Sequence, residues 1–411
     1  MLLLGLPLVV AALRQASCAD HGWEGRAPVW RQCASPLLAS LVEDDAGRGV
    51  WAYLTGAAPL DLPVLRGVVA TGLATLAPGA GIGEQRWVLV LWTVLAAVIL
   101  AGLVVVVGTV RGAPDADPVA LALSPVLALS VLLSTDLVPV ALAVVAVWAW
   151  SRHRPELAGV LLGLALLGGP QALLVVLALA VVPPAEVPRA VRRLLTSVAV
   201  TTLLVVGPVA ALDLGTLVRP LRAWWTGGAG PGSLLYVPEL ALHPLGPGPV
   251  AAISVLGLLL AAALVVVLAS RRPAPPAAGV ALVGLVAALV TAPSAPVTAA
   301  LWLVPFVALA GVPWRDHLVW AGAEAVHLVA WFGWVSAQTD AAHGLPAGWY
   351  ATALALRVLA VTRLGWVVWA RASWGDPPRA GTLQRLPTVR PVDEARGAVG
   401  GSAYPPVTEG P

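Results

Sequence analysis

Apolar runs of near-membrane length follow one another along most of the chain. From residue 63 onward they cover about 63–82, 87–110, 118–150, 157–168, 171–183, 195–212, 249–270, 277–292, 297–312, 318–335 and 347–370. A membrane-spanning helix needs roughly 20 predominantly apolar residues. The pattern therefore predicts an all-α polytopic membrane protein, a bundle of about 11 to 12 transmembrane or half-membrane helices.

The composition narrows the class of protein further. The chain has 411 residues, of which 59% are hydrophobic and 11% are charged, against roughly 25% charged residues in soluble domains. An ordinary soluble enzyme is excluded, because so apolar a chain would expose large hydrocarbon patches to water. All the basic side chains are arginines. We attribute them, together with abundant Ala, Gly and Pro, to a GC-rich bacterial genome and expect no nucleic-acid partner.

The chain divides into four segments by charge and apolar content. Residues 1–13 are predicted as a first transmembrane helix. Residues 14–62 are predicted as an extracytoplasmic loop, because the loop is acidic and cytoplasmic loops are the ones rich in Arg. Residues 63–370 form the predicted polytopic transmembrane bundle. Residues 371–411, rich in Pro and Gly and without an apolar period, are predicted to be a disordered cytoplasmic tail.

The chain contains two cysteines, Cys18 and Cys33. They are too few for a structural zinc site, which takes four ligands, and no metal or other cofactor is predicted. Facing an oxidising exterior, they would form a disulfide worth about 3 kcal/mol in the loop-entropy account. The alternative is a pair of free thiols, and the spacing alone does not choose between the two.

Arginines at the ends of the apolar runs set the predicted orientation. Basic residues at 152–154 and 189–193 flank the run 157–183, which a Gly-Gly-Pro turn at 168–170 interrupts. Both flanks belong in the cytoplasm. The run is therefore predicted as a short helical hairpin whose turn points outward. The same rule places both termini in the cytoplasm of a bacterial plasma membrane, with several passes between them.

The apolar run at 118–150 has two interpretations. It is too long for one straight span, and the orientation rule makes it a single bent pass. Pro125, Asp136 and Pro139 would equally suit two half-helices. The sequence leaves both open.

Ionisable residues inside apolar runs are costly and therefore candidate functional residues. Asp136 either caps the helix that follows it or has a functional role. Glu324 and His327 lie three residues apart on one helix face, as a proton-sharing pair or as groups that satisfy each other in the interior. Arg357 and Arg363 are predicted to extend toward the membrane interfaces.

The predicted outer loop at 213–248 combines aromatic and basic residues. Its candidates for substrate binding are Arg219, Arg222, Trp224 and Trp225. An aromatic belt at the membrane interface would explain the tryptophans without a ligand. In the functional alternative, Trp faces contact a sugar or isoprenoid while Arg side chains bind a phosphate.

Four groups of residues occur in an order that is typical of one enzyme family. They are Cys33-Ala-Ser-Pro36 with Gly49, Tyr53-Leu54 and Asp61-Leu-Pro-Val-Leu-Arg-Gly67; Asp117 through Ser124-Pro125 and Ser134-Thr-Asp136 to Arg154-Pro-Glu and Gly163; Leu301-Trp-Leu-Val-Pro305 with Trp314-Arg315 and Glu324; and Gly344-Leu-Pro with Tyr350 and Arg357. Together they cover about residues 33–370. In this order the chain resembles bacterial integral-membrane mannosyltransferases of glycosyltransferase family 87, which have the GT-C architecture.

The resemblance implies a hexosyltransferase that takes its sugar from a polyprenyl-phosphate donor and extends a cell-envelope glycan or glycolipid. It also implies membrane lipid as a partner and no nucleotide-binding motif. On this reading Asp61 is the general base and Asp136 organises the sugar or phosphate region. By their place in the predicted topology, Arg66, Arg219 and Arg222 are the candidate cations for the leaving phosphate. Glu324 and His327, on one helix face, join the candidate substrate-binding set.

The sequence departs from the family at the position of the expected catalytic base. The family has an aspartate where this chain has Pro36, and expected lysines fall near Gly169 and among residues 293–299. Proline can neither accept a proton nor pair with a phosphate. A catalytically degenerate protein that binds lipid-linked glycan or a partner is therefore the alternative. A transporter is a third hypothesis, motivated by the ionisable residues inside the apolar runs.

Overall fold

The fold is helical throughout the part of the chain that the structure describes, with no strand in it. The structure is a computed structural model and describes residues 5–25, 27–43, 46–113, 115–182, 188–271, 275–339 and 344–374. Five of its helices are long and apolar enough to cross a membrane. The predicted all-α polytopic membrane protein is thus confirmed.

The first half of the chain contains one long helix among shorter ones. In order, the helices are α1 (Gly5–Ala19), α2 (Ala27–Trp30), α3 (Pro36–Glu43), α4 (Gly49–Leu54), α5 (Val64–Leu76), α6 (Ile82–Thr109), α7 (Pro118–Ala122), α8 (Pro125–Ser130) and α9 (Leu137–Ser151). Helix α1 thus continues past the predicted end at Leu13. The predicted loop at 14–62 holds several short helices.

The second half contains the other four long apolar helices. In order, its helices are α10 (Pro155–Leu166), α11 (Ala172–Val181), α12 (Pro188–Leu212), α13 (Leu214–Thr226), α14 (Val237–Leu240), α15 (Pro247–Ala269), α16 (Ala277–Thr291), α17 (Val304–Leu309), α18 (Trp314–Thr339) and α19 (Ala347–Trp374). A 3-10 helix, Val297–Trp302, leads into α17. Helix α19 includes residues 371–374, so it continues past the predicted start of the tail, and residues 375–411 lie outside the described residues.

The run 118–150 forms two half-helical arms, α7–α8 and α9, around a break at 131–136. At their far ends Arg111 N donates to Ser151 Oγ over 3.3 Å, and Arg152 Nη2 donates to Thr109 O over 3.2 Å. These bonds join the end of α9 to the end of α6. Because residues 112–117 connect the end of α6 to the start of α7, both arms begin and end on the same side of the bundle. The structure therefore selects the half-helices over the single bent pass.

The run 157–183 forms the predicted helical hairpin from α10 and α11. Its turn at 167–171 contacts the start of α5, where Leu65 N donates to Leu167 O over 2.9 Å. Gly168 lies directly against Pro139 in the first turn of α9. The two hairpin turns therefore meet inside the bundle.

Helix α10 packs closely on α12 because glycines line the contact. A Cβ added at Gly159 would lie 2.5 Å from Leu194 O, and one at Gly163 would lie 2.9 Å from Val198 O. Small residues let backbones approach in membrane bundles, where dispersion replaces the hydrophobic effect as the attraction between helices. These glycines fix the hairpin to a membrane-spanning neighbour.

A third broken pair consists of α16 and the returning segment Val297–Trp302 with α17. Asp117 N, just before α7, donates to Ala308 O in α17 over 2.9 Å. The end of α17 therefore lies beside the start of α7. At the near end of the broken pair, Trp302 approaches Gly169 in the second hairpin turn. Three interrupted segments thus bring their breaks into one region of the interior.

Long apolar helices surround these broken segments. Helices α6, α12 and α15 expose large aliphatic side chains on one side, among them Val98, Leu203, Leu204, Leu256 and Leu259. Trp92 is buried on the other side of α6, and its Nε1 donates to Val131 O in the first break over 2.9 Å. Non-helical backbone at membrane depth is tolerated where protein encloses it, and here α6 supplies that enclosure.

Candidate functional site

Asp136 lies at the first break and pairs with Arg66 in α5. Arg66 Nη1 is 3.1 Å from Asp136 Oδ1, and Ser134 Oγ donates to Asp136 Oδ2 over 2.8 Å. Asp136 occupies the N-cap position of α9, yet its carboxylate accepts no hydrogen bond from that helix. The capping interpretation is therefore wrong, and the carboxylate is committed to Arg66 and Ser134.

Two helix starts face this ion pair. Arg66 belongs to the first turn of α5, and Asp136 immediately precedes α9. The start of a helix carries unpaired N–H groups and a partial positive charge. A cation in the first turn of α5 adds to that positive charge, and Asp136 offsets part of it. The arrangement leaves a positive potential at the junction that suits an anion.

Tyr53 connects the beginning of α5, the helix that carries Arg66, to α13. Its hydroxyl donates to Leu62 O over 2.8 Å, and its backbone oxygen accepts a hydrogen bond from Thr216 Oγ1 over 3.1 Å. Burial raises the pKa of the Tyr53 phenol to about 12, while the nearby charges of Arg219 and Arg66 act in the opposite direction. Tyr53 therefore stays protonated at neutral pH, within electrostatic range of the Arg66 and Arg219 guanidinium groups.

Arg219 is held at this position by the start of α13. Its Nη2 donates to Thr216 Oγ1 over 2.9 Å and pairs with Asp213 Oδ2 over 3.2 Å. The hydrogen bonds that Asp213 accepts, first from the Thr216 side chain, hold its pKa below the usual value. The Nε atoms of Arg219 and Arg66 are both buried and have no hydrogen-bond partner in the part of the chain that the structure describes. Each arginine thus retains a donor that an added anion would satisfy.

The other predicted residues of this region lie at the surface. Asp61 is exposed, and no described side chain bonds its carboxylate. Arg222 and Trp225 are exposed on α13, and the Trp224 and Trp225 rings stack with centroids 5.2 Å apart. The structure therefore brings Arg66, Asp136 and Arg219 to one neighbourhood around Tyr53, with Arg222 and the tryptophans farther along α13.

Glu324 belongs to a second polar cluster, between α18 and α19. Arg357 Nε lies 2.9 Å from both carboxylate oxygens, and Trp320 Nε1 donates to Glu324 Oε1 over 3.0 Å. The prediction that Glu324 pairs with His327 is therefore wrong, because its carboxylate pairs with Arg357. The prediction that Arg357 reaches toward an interface is also wrong, since its side chain is 2% exposed.

Arg357 also binds the backbone of two loops. Its Nη1 donates to Gly232 O over 3.2 Å and to Ala295 O over 2.5 Å, and its Nη2 donates to Pro296 O over 3.4 Å. Residues 292–296 form the break of the third interrupted pair. One buried arginine thus joins this break, the loop before α14 and Glu324.

His327 contacts Tyr350 rather than Glu324. Its Nε2 is 3.4 Å from the Tyr350 hydroxyl, which accepts a hydrogen bond from Gly232 N over 2.9 Å. The Nδ1 of His327 is buried and has no hydrogen-bond partner within the described ranges. The rings of Trp331 and Tyr236 complete an aromatic group around Tyr350.

An apolar groove of about 440 Å³ lies between α18 and α19 next to this group. Its lining residues are Ala325, Val326, Val329, Ala330, Leu345, Trp349, Thr352, Ala353 and Leu356. Ala330 and Ala353 also pack against Tyr350. Such walls suit a hydrocarbon chain.

Cys18 and Cys33 are joined in a disulfide, which settles the choice between a bond and free thiols. The bond connects the end of α1 to the segment that follows α2. Nearby, buried Gln15 accepts a hydrogen bond from Trp23 Nε1 over 2.7 Å. These contacts fold the first part of the 14–62 segment onto the bundle.

Charged residues in the first turn of α18 and the second half of α19 form a separate structural group. Asp316 is buried and binds Arg363 Nε over 2.6 Å, while Arg315 lies 3.4 Å from the same carboxylate. His317 Nε2 is 2.9 Å from Ser124 Oγ. Arg363 is half-exposed at this end, so it combines an ion pair with the predicted approach to the surface.

Tyr53 and Tyr350 are the site residues that the sequence reasoning did not assign. Both lie in segments that carry the family resemblance, which was the available signal. Arg357 carried a second signal, because an arginine within an apolar span requires a partner.

Comparison with known proteins adds no assignment. No protein-family model matches this sequence, and no curated protein is significantly similar to it. Within the described residues no group of three or more His, Cys, Asp or Glu side chains is arranged to hold a metal ion.

Proposed function

We propose that this protein is a hexosyltransferase that transfers a sugar, mannose by the family resemblance, from a polyprenyl-phosphate donor to a cell-envelope glycan or glycolipid. The observation that carries the proposal is the ion pair between buried Asp136 and half-buried Arg66 at the break between half-helices. Arg219 adds a second guanidinium beside Tyr53.

A polyprenyl-phosphate sugar presents one phosphate beside a long hydrocarbon chain. The bond from the sugar C1 to the phosphate oxygen breaks, a bond from C1 to the acceptor oxygen forms, and the acceptor proton passes to a carboxylate. Negative charge grows on the departing phosphate. Arg66 and Arg219, each with a free buried Nε, supply charge-assisted donors for it.

The two aspartates have different surroundings and therefore different proposed roles. Asp136 is bound by Arg66 and Ser134, which suits a group that orients cations and substrate. Asp61 is exposed five residues before Arg66 and accepts no hydrogen bond from a described side chain, so its carboxylate is available as the general base. The groove between α18 and α19 offers apolar walls for an isoprenoid chain.

The disulfide supports placement of this region on the extracytoplasmic side of a bacterial plasma membrane. Structural disulfides persist in oxidising compartments and are rare in the cytosol. The bonded cysteines and Arg66 all lie in the stretch from α1 to α5, which we therefore propose to be near the outer side. With this orientation we propose that both termini lie in the cytoplasm, as the distribution of arginines predicts.

A catalytically degenerate binding protein is the second candidate, and Pro36 favours it. Pro36 is the first residue of α3, at the position where the resemblance calls for an aspartate. If Asp61 does not take the place of the aspartate that is missing at position 36, the site would bind a lipid-linked sugar and leave it intact.

Transfer of labelled mannose from polyprenyl-phosphate mannose to endogenous glycan tests the proposal. The assay uses membranes of a strain lacking this gene, with the gene absent, restored, or restored as Asp61→Asn or Asp136→Asn. We expect transfer only with the unaltered gene, and expression of each variant is matched by immunoblot. Unchanged transfer in both variants contradicts the assigned roles, and no transfer from mannosyl, glucosyl or arabinosyl donors favours the binding protein.

A further inference from the structure

Helix α13 begins directly where the long apolar helix α12 ends. Asp213 separates them and caps α13, accepting hydrogen bonds from Gly215 N over 3.0 Å and Thr216 N over 2.9 Å. The cap lets the chain change direction in a single residue. Helix α13 has 13 residues, which corresponds to a length of roughly 20 Å.

One side of α13 is apolar and uncovered. Leu214, Val218, Leu221 and Trp225 are spaced by four, three and four residues, so they form a single stripe. Their exposures are 61%, 43%, 68% and 54%. The opposite side is attached to the protein through Thr216, which is buried and bonds Tyr53 O. The stripe is therefore the free side of an anchored helix.

The exposed stripe continues a surface that already faces lipid. Leu203, Leu204 and Leu212 are exposed on the last turns of α12, a helix long and apolar enough to cross a membrane. The stripe begins two residues after Leu212. A hydrocarbon environment for α12 therefore extends to the start of α13.

The flank of the stripe is basic and aromatic. Arg222 is exposed, and no described side chain pairs with its guanidinium. Trp224 stacks on Trp225 at the same end. Arginine beside an apolar face and tryptophan at its edge are typical of helices that lie in the interface of a membrane with anionic lipids.

We propose that α13 lies in the plane of the membrane interface, with its apolar stripe among the acyl chains and Arg222 bound to the headgroup phosphate of an anionic lipid. The occupant of this face is thus the bilayer, since the stripe is continuous with the lipid-facing side of α12. The inference does not depend on the proposed enzymatic activity.

A fluorescent probe on α13 tests this placement. Leu221→Cys and Ala223→Cys are labelled with an environment-sensitive fluorophore in vesicles of phosphatidylcholine with phosphatidylglycerol. The native cysteines are disulfide-bonded and do not compete for label. Ala223 is exposed and about 200° around the helix from Leu221, which makes it the matched control. We expect a blue-shifted emission and quenching by brominated lipid at 221 but not at 223.

The headgroup contact is tested with the same label at 221. We expect brominated phosphatidylglycerol to quench about twofold more than brominated phosphatidylcholine at equal content. Arg222→Gln should abolish the difference, whereas Arg192→Gln, an exposed arginine near the other end of α12, should leave it unchanged. Equal quenching at 221 and 223, quenching that disappears as protein crowding rises because a second copy covers the stripe, or no effect of Arg222→Gln would each overturn the proposal.

Discussion

Arg357 and Glu324 form a buried ion pair between α19 and α18, with both carboxylate oxygens 2.9 Å from the arginine Nε. The two residues are 33 positions apart in sequence. Neither side chain is more than 2% exposed. Removal of one partner leaves the other charge buried without compensation, a far larger penalty than removal of both.

We therefore predict that Glu324→Leu lowers the free energy of unfolding by about 3 to 5 kcal/mol. Combining it with Arg357→Met should recover a large part of that loss, although the carbonyls of Gly232 and Ala295 then lose their donor. Thermal unfolding in detergent measures both, with exposed Arg222→Gln as the control. A single variant as stable as the parent protein would show that the pair contributes nothing.

Arg14 in α1 presents the opposite case, a buried cation for which the described residues supply no counter-ion. All three of its guanidinium nitrogens are buried and lack a hydrogen-bond partner among those residues. An uncompensated buried charge destabilises a fold. We predict that Arg14→Met raises the free energy of unfolding by about 1 kcal/mol or more. A decrease would mean that the guanidinium binds an anion from outside the chain, and unfolding with and without added phosphate would then identify it.

The close contact of α10 with α12 should be sensitive to single methyl groups. Gly159→Ala and Gly163→Ala insert a Cβ into backbone oxygens of α12, and we predict losses of about 1 to 3 kcal/mol each. Gly207, which lies in α12 itself, has open space around it, so Gly207→Ala should be neutral or stabilising by up to about 1 kcal/mol. Comparable effects of all three substitutions in thermal unfolding would refute the packing argument.

Asp213 gives the α12–α13 junction a defined pH dependence. Its pKa is lowered in the folded protein, so its carboxylate stabilises the fold above its unfolded pKa, near 3.8, and this contribution falls as pH drops through the lower folded value. We predict that the stability difference between the parent and Asp213→Asn is constant at neutral pH and shrinks below pH ~4. The measurement is thermal unfolding across a pH series. A difference that grows on acidification would contradict the sign.

Local sequence signals predicted the parts of this fold that depend on neighbouring residues. The Gly-Gly-Pro turn at 168–170 stops a helix by its own chemistry, so the α10–α11 hairpin follows from sequence. The 118–150 run was ambiguous because its two ends are placed by contacts with α6, through Arg111 and Ser151. No local pattern encodes that contact.

The candidate site shows the same limit. Asp136 stands out as an acid in an apolar run, but its partner Arg66 is 70 residues away. Thr216, which bonds the Tyr53 backbone, is 163 residues from Tyr53. Glu324 illustrates the resulting error, since helical spacing suggested His327 although a neighbouring helix supplies the stronger partner. Pairing between distant elements depends on tertiary packing, which hydropathy alone does not specify.

Sugar transfer by the purified protein in lipid vesicles is the most direct test of the account. Donor polyprenyl-phosphate mannose and an envelope glycolipid acceptor are supplied, and the product and released polyprenyl phosphate are counted together. We predict equal amounts of both, with a loss of about 100-fold in Arg66→Ala and no change in Arg192→Gln. Donor that binds but stays intact, or transfer that is indifferent to Arg66, would contradict the assignment of the Arg66–Asp136 junction as the site of transfer.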